Sequence, residues 1–232
     1  MKIVCYVLCA NNDLLEESIE RWRDHTYMRP ILLPQTPYLE NVMYISELMA
    51  RRDEWEDADW VGCVSSKVES KQPMIRRLQD ICTEATKNDS DFIALLYRGD
   101  PLISAAERWH PGFTRCWLAV WQAIGWNSTD MLLRDDIPSF YANYWLSKPA
   151  FMDEYCVQMR YTMQRIQTVP TLRELCYRDS SYSHRGTEIA SIPPGRCMEL
   201  FGVGYYPMFI FVLERMICCF ALARAKKLTL VK

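Results

Sequence analysis

Residues 41–67, NVMYISELMARRDEWEDADWVGCVSSK, and 138–155, PSFYANYWLSKPAFMDEY, decide the fold expected of this chain. Each joins a helical pattern to a short apolar run with the character of a strand. Both put polar side chains where a strand opens: Ser65, Ser66 and Lys67 in the first, Asn143 in the second. Open α/β sheets bind ligands outside the carboxyl ends of their strands, so these residues mark an expected site. Its setting in a largely apolar fold suits a small polar ligand.

Working outward, Lys2 to Leu8 is apolar and β-branched, as a buried first strand requires. Asn11, Asn12 and Asp13 follow as a turn, with Asp13 and Glu16 spaced like a capping box, and Leu15, Ile19 and Trp22 share a helix face. Arg29 to Leu33 is expected as a second strand, closed by Pro34 and Pro37. Val42, Ile45 and Met49 start a helix running toward Trp55, and Trp60 to Val64 forms a third strand. Ser70 and Pro73 open a helix along Ile75, Leu78, Cys82 and Ala85. The run 91–97, DFIALLY, has the continuous apolarity of a strand buried on both faces. Phe113, Trp117, Val120, Trp121 and Ile124 line a helix stopped at Gly125. Met131 to Leu133 and Phe140 to Leu146 are expected as strands, and Pro149 opens a helix that turns Met152, Cys156, Met159 and Met163 inward. Strand and helix alternate, the pattern of a mostly parallel sheet covered on both faces. Residues 1–177 are expected as the α/β unit. Residues 178–232 add a polar stretch, Arg178 to Gly195, and a C-terminal helix packed on the same unit. A loop of that length is either a lid or a segment without function.

At 232 residues the chain has room for one large domain. A formal net charge of −2 and a pI near 6.0 argue against nucleic-acid binding as its main business. The ten cysteines sit mostly in apolar runs, without a C-x-x-C pair or clustered histidines, so buried free thiols in a reducing compartment are expected rather than a zinc site. The start MKIVCYVLCANND lacks the features of a secretory signal, and the expected location is the cytoplasm. The most apolar late run, Val203 to Ala223, carries Glu214 and Arg215. A charge at mid-bilayer costs roughly 2.5–3.5 kcal/mol, so a buried helix is expected rather than a membrane span. The basic end ARAKKLTLVK is either a solvated terminus or a peripheral contact with an anionic membrane.

Familiar chemical signatures are missing: no G-x-G-x-x-G after the first strand, no Walker A loop, no H-E-x-x-H and no G-x-S-x-G. The candidates are therefore individual residues. Glu47 either pairs with Arg51 at i,i+4 or, with Ser46, faces a cleft. Lys67 either snorkels from a turn or offers a point charge to a phosphate. Asp135 with Asp136 is either a turn before Pro138 or an acidic pair for a hard divalent ion. His110, following Arg98 and Asp100, either caps a helix or acts as a base. Asn143 lies among aromatic residues and must find partners if buried; it either bonds the backbone or reads a hydroxyl of a ligand. By the period of two, Tyr141, Asn143 and Trp145 would share one strand face. His184 and Arg185 either close over phosphates or stay solvated.

Several of these segments carry a resemblance. Ser46-Glu47-Leu48, Asp59-Trp60-Val61-Gly62, the 91–95 run DFIAL, His110-Pro111, the 140–145 run FYANYW with Lys148-Pro149, and Glu214-Arg215-Met216 resemble small glycosyltransferases of bacterial capsule or large-virus surface-glycan synthesis. The Asn143 segment resembles the strand of retaining GT-A-fold sugar transferases in which an asparagine opens onto the sugar and a helix follows. The resemblance implies a GT-A-like, Rossmann-like sheet and transfer of a sugar from a nucleotide diphosphate sugar to a glycan acceptor. It also implies a donor held by Cys9, Ala10, Asn11, Asn12, Tyr44, Ser65, Ser66, Lys67, His184 and Arg185, with Asn143, His110, Asp135 and Glu47 at the reacting end. The chain departs from the family at the D-x-D expected after the third strand, where Ser65 and Ser66 stand. A divalent Mn or Mg would then be held by Asp135 and Asp136 or by His184, or be replaced by Lys67 and arginines. The opposing expectation is a catalytically silent nucleotide-sugar-binding or assembly protein on the same fold.

Overall fold

A computed structural model describes residues 1–96, 98–140, 143–182 and 194–231. Its centre is a six-stranded sheet in the order β2-β1-β3-β7-β4-β8. The strands are β1 Ile3–Cys9, β2 Met28–Leu32, β3 Trp60–Ser65, β4 Phe92–Ala94, β7 Trp145–Ser147 and β8 Leu228–Leu230. β5 (Arg98–Pro101) and β6 (Pro138–Ser139) form a separate antiparallel pair. β1 is parallel to β2 and β3, and β4 is parallel to β8. β7 is antiparallel to both its neighbours. The fold is thus mixed α/β with a mostly parallel sheet.

The pleat of β1 accounts for the layering. Val4, Tyr6 and Leu8 join one apolar core; Ile3, Cys5, Val7 and Cys9 join the other. The first core is roofed by the helices Phe113–Ala123, Pro149–Thr168 and Met208–Arg224. Trp22, Leu78 and Cys82, from helices Asn12–Trp22 and Leu78–Lys87, fill the second. Seven consecutive buried residues in β1 are what a strand covered on both faces demands. Met208–Arg224 is a helix apolar nearly all round and buried along most of its length, so its environment is protein. Among the described residues no helix is long and apolar enough to cross a membrane.

Three expectations are corrected. Met131–Leu133 is not a strand, because Thr129–Leu132 closes into a short helix. Phe140 to Leu146 is not one strand either: Asn143 takes φ +59°, which breaks an extended run, and β7 starts only at Trp145. Trp145 faces the core, stacked on Tyr44 at 5.0 Å and Phe92 at 5.3 Å, so it shares no ligand face with Asn143; Tyr141 lies outside the described residues. The basic C-terminal run closes the last helix at Arg224 and then pairs Leu228–Leu230 with β4 at the sheet's edge, leaving Arg224, Lys226 and Lys227 exposed.

Gly62 shows how closely β7 is seated. It pairs with Leu146, and a Cβ at this position would fall 2.7 Å from Leu146 Cγ and closer still to the Trp145 carbonyl oxygen. Backbone cannot yield there without opening the sheet. Gly62→Ala is expected to cost about 3 kcal/mol, the upper end of overpacking penalties. A urea midpoint within error of wild type would refute this seating of β7.

Candidate site at the carboxyl edge of the sheet

The chain leaves β1 toward β2 on one side and comes back to β3 on the other. Strand order therefore reverses between β1 and β3, where open α/β sheets bind ligands beyond the carboxyl ends. Because β7 runs antiparallel, its amino end, preceded by Asn143 and Tyr144, lies at this same edge. The Leu95 amide donates to the Tyr144 carbonyl at 2.8 Å, and the Ser65 hydroxyl meets the Tyr144 hydroxyl at 2.6 Å. Lys71 Nζ sits 5.3 Å from the centre of the Tyr144 ring.

Asn143 is buried, and its Nδ2 donates to Glu40 Oε2 at 3.0 Å. Asparagine tolerates its left-handed backbone better than most residues do. Glu40 is half-buried and comes from the turn Leu39–Asn41, which packs by the last helix: Asn41 Nδ2 donates to the Ile210 carbonyl at 3.5 Å. Burial pushes the Glu40 carboxyl above the usual carboxylate range, and the Glu214 carboxylate pushes it further. The bond from Asn143 and the charge of Lys71 oppose that rise. Tyr182 belongs to the same electrostatic neighbourhood. Its phenol is pushed up first by burial and then by Glu214, against the pull of Lys71 and Arg215. Asn143 and Glu40 thus meet directly here, and the charges of Lys71 and of Glu214, which Arg215 holds at 3.3 Å, bear on both Glu40 and Tyr182.

The residues expected from sequence divide into those at this edge and those elsewhere. Asn143, Ser65 and Lys67 are at it, with Lys67 exposed. Ser66 is buried there: its amide donates to the Leu8 carbonyl, and its own carbonyl accepts from Arg21 at 3.3 Å, so it braces the helix Asn12–Trp22. Asn11 caps that helix, accepting from the Leu14 amide at 2.9 Å; Asn12 begins it and is exposed. The Ala10 carbonyl accepts from Gln35, which in turn accepts from Arg196, bringing a guanidinium to the end of β1. Cys9 is turned into the core, its Sγ 3.5 Å from Ser18 Oγ, and burial pushes its thiol up. Tyr44 is 1% exposed and sandwiched in the core, with no surface for a nucleotide.

Glu47 ends the π-helical turn Met43–Glu47 and accepts from Ser46 at 3.3 Å, while Arg51 pairs with Glu54 instead. Asp135 lies in an exposed turn whose Asp136 is held by Arg134. His110 is a buried ring at the end of the helix Leu102–Trp109, stacked on Phe211 at 3.8 Å, with Nδ1 3.3 Å from the Ser180 carbonyl. It backs the site through Tyr182, 5.8 Å away between ring centres, rather than opening onto it. His184 and Arg185 lie outside the described residues.

Among the described residues no group of three His, Cys, Asp or Glu side chains is placed to hold a metal ion. Two hollows lie elsewhere: one of about 610 Å³ between helix Phe113–Ala123 and helix Pro170–Cys176, another of about 470 Å³ beside Val157 and Phe220. Neither borders the polar group at the sheet edge.

Sequence reasoning did not single out Glu40, Lys71 or Tyr182 as candidates. Glu214 left a signal, as half of a charged pair interrupting an apolar helix. Comparison with protein-family models, curated proteins and solved structures finds no significant match for this chain.

Proposed function

We propose that the chain is a glycosyltransferase with a GT-A-like arrangement, moving a sugar from a nucleoside diphosphate sugar to a glycan hydroxyl. The observation that carries this is the convergence of Glu40, Asn143 and Glu214 with Lys71 at the carboxyl edge, beside the β1–β3 reversal. The donor's diphosphate lies against Lys67, Lys71 and Arg196, and its sugar against Asn143. Glu40 takes the proton of the acceptor hydroxyl as that oxygen bonds the anomeric carbon and the bond to the diphosphate breaks. A carboxyl with a raised pKa is suited to this at neutral pH. Cations near the departing diphosphate stabilise its charge without rearranging. In this reading the diphosphate's charge falls to these cations.

Thermal unfolding against a panel of nucleoside diphosphates and their sugars tests the proposal, with donor hydrolysis measured alongside. Protection by one nucleotide sugar with slow hydrolysis is the expected result. Protection without turnover on any acceptor would favour a silent binding protein, and indifference to the sugar a different transfer class. Lys67→Ala is expected to weaken nucleotide binding by roughly 1–3 kcal/mol. Calorimetry returning wild-type affinity removes Lys67 from the site.

A further inference from the structure

We propose that Cys116 and Cys176 form a covalent cross-linking site, joined as a disulfide when a glutathione-class disulfide oxidant is supplied. All ten cysteines are buried. In this pair the two sulfurs touch, Sγ to Sγ at 3.4 Å, across the contact between helix Phe113–Ala123 and helix Pro170–Cys176. A disulfide needs about 2.05 Å. Rotation of the two side chains and a shift of the helices would supply the remaining approach.

The exchange balances. One thiol, as its thiolate, attacks oxidised glutathione and releases one reduced glutathione, leaving a protein–glutathione mixed disulfide. The second thiolate attacks the protein sulfur of that intermediate and releases another. Two thiols lose their protons, the protein is oxidised by two electrons, and the oxidant is reduced by two.

Accessibility sets the rate. Both cysteines are 0% exposed, and the Cys176 thiol is pushed far up, first by its hydrogen bond with Cys116 and then by burial. The folded pair is therefore inert until the helices part. The hollow of about 610 Å³ is lined by Arg115 and Leu175, the residues next to each cysteine, so parting of the helices on that side would open the pair toward it.

The cross-link would also act on the site. Helix Pro170–Cys176 leads into Arg178 and Ser180, which bond Met208 and Tyr206, and then into Tyr182. A bond at Cys176 pins the chain just before that segment.

The test uses the full chain treated with oxidised glutathione, then alkylated, digested without reductant and read by mass spectrometry. One peptide joining Cys116 to Cys176, two hydrogens lighter than the sum, is expected. The bridge closes a long loop, with the two cysteines 60 positions apart in sequence. It should raise the non-reduced melting temperature by roughly 5–15 °C. Cys116→Ala and Cys176→Ala should each abolish both effects. Alanine suits the buried positions, and the wild-type digest decides the matter even if a variant folds poorly. Mixed glutathione adducts alone, bridges among other cysteines, or no oxidation below the unfolding temperature would each overturn the proposal. None of these readouts depends on sugar transfer.

Discussion

Glu40→Gln is expected to lower turnover by roughly 10²–10⁴-fold, the usual contribution of a positioned acid or base, while donor affinity changes little. Glutamine keeps the shape and an oxygen that can accept from Asn143, so the variant removes proton transfer with little else. Stability should move the opposite way. A carboxyl whose folded pKa is raised binds its proton more tightly in the native state than in the unfolded chain. Native Glu40 therefore loses stability as pH climbs from the ordinary carboxylate value through its raised one. Glutamine carries no such cost. Urea unfolding from about pH 4.5 to pH 8 should thus show the variant gaining on wild type as pH rises. A constant gap would mean that the Glu40 carboxyl is not desolvated as the structure has it. Wild-type turnover per folded molecule would remove it as the base.

The legible parts of this fold are those where one physical demand acts alone. β1, β3 and the helix Phe113–Ala123 are buried on every side or along one face, and burial writes itself into apolar runs of the right period. β8 was hidden because it is short, only partly buried and led in by Lys226 and Lys227, and its pairing depends on β4 lying far away in sequence. Met131 to Leu133 offered three apolar residues, too few to separate a strand from a helical turn. The candidate site was legible only at its strand ends. Ser65, Lys67 and Asn143 follow from the rule for parallel sheets, whereas Glu40 is an acid in a turn whose partner Asn143 is 103 residues away. Cys9 and Tyr44 failed for the opposite reason: sequence position placed them near the edge, while side-chain direction sent both into the core.

Asn143 separates its backbone role from its side-chain role through a pair of substitutions. At φ +59° an alanine pays roughly 1–2 kcal/mol for the left-handed conformation, whereas glycine adopts it freely. Both variants lose the amide that donates to Glu40 at 3.0 Å. Hydrogen bonds to charged groups contribute about 1.5–3 kcal/mol. If the amide orients Glu40 and the sugar, Asn143→Gly and Asn143→Ala should lose turnover alike, by about 10- to 150-fold. Melting should tell them apart, with alanine the less stable of the two. Without its amide donor the Glu40 carboxyl rises further, so the acidic limb of the pH–rate profile should move to higher pH in both variants. Asn143→Asp should move it further still, because a second carboxylate at this distance makes ionisation of Glu40 harder. An Asn143→Gly enzyme with wild-type turnover and an unmoved pH profile would leave Asn143 only a structural residue of the edge.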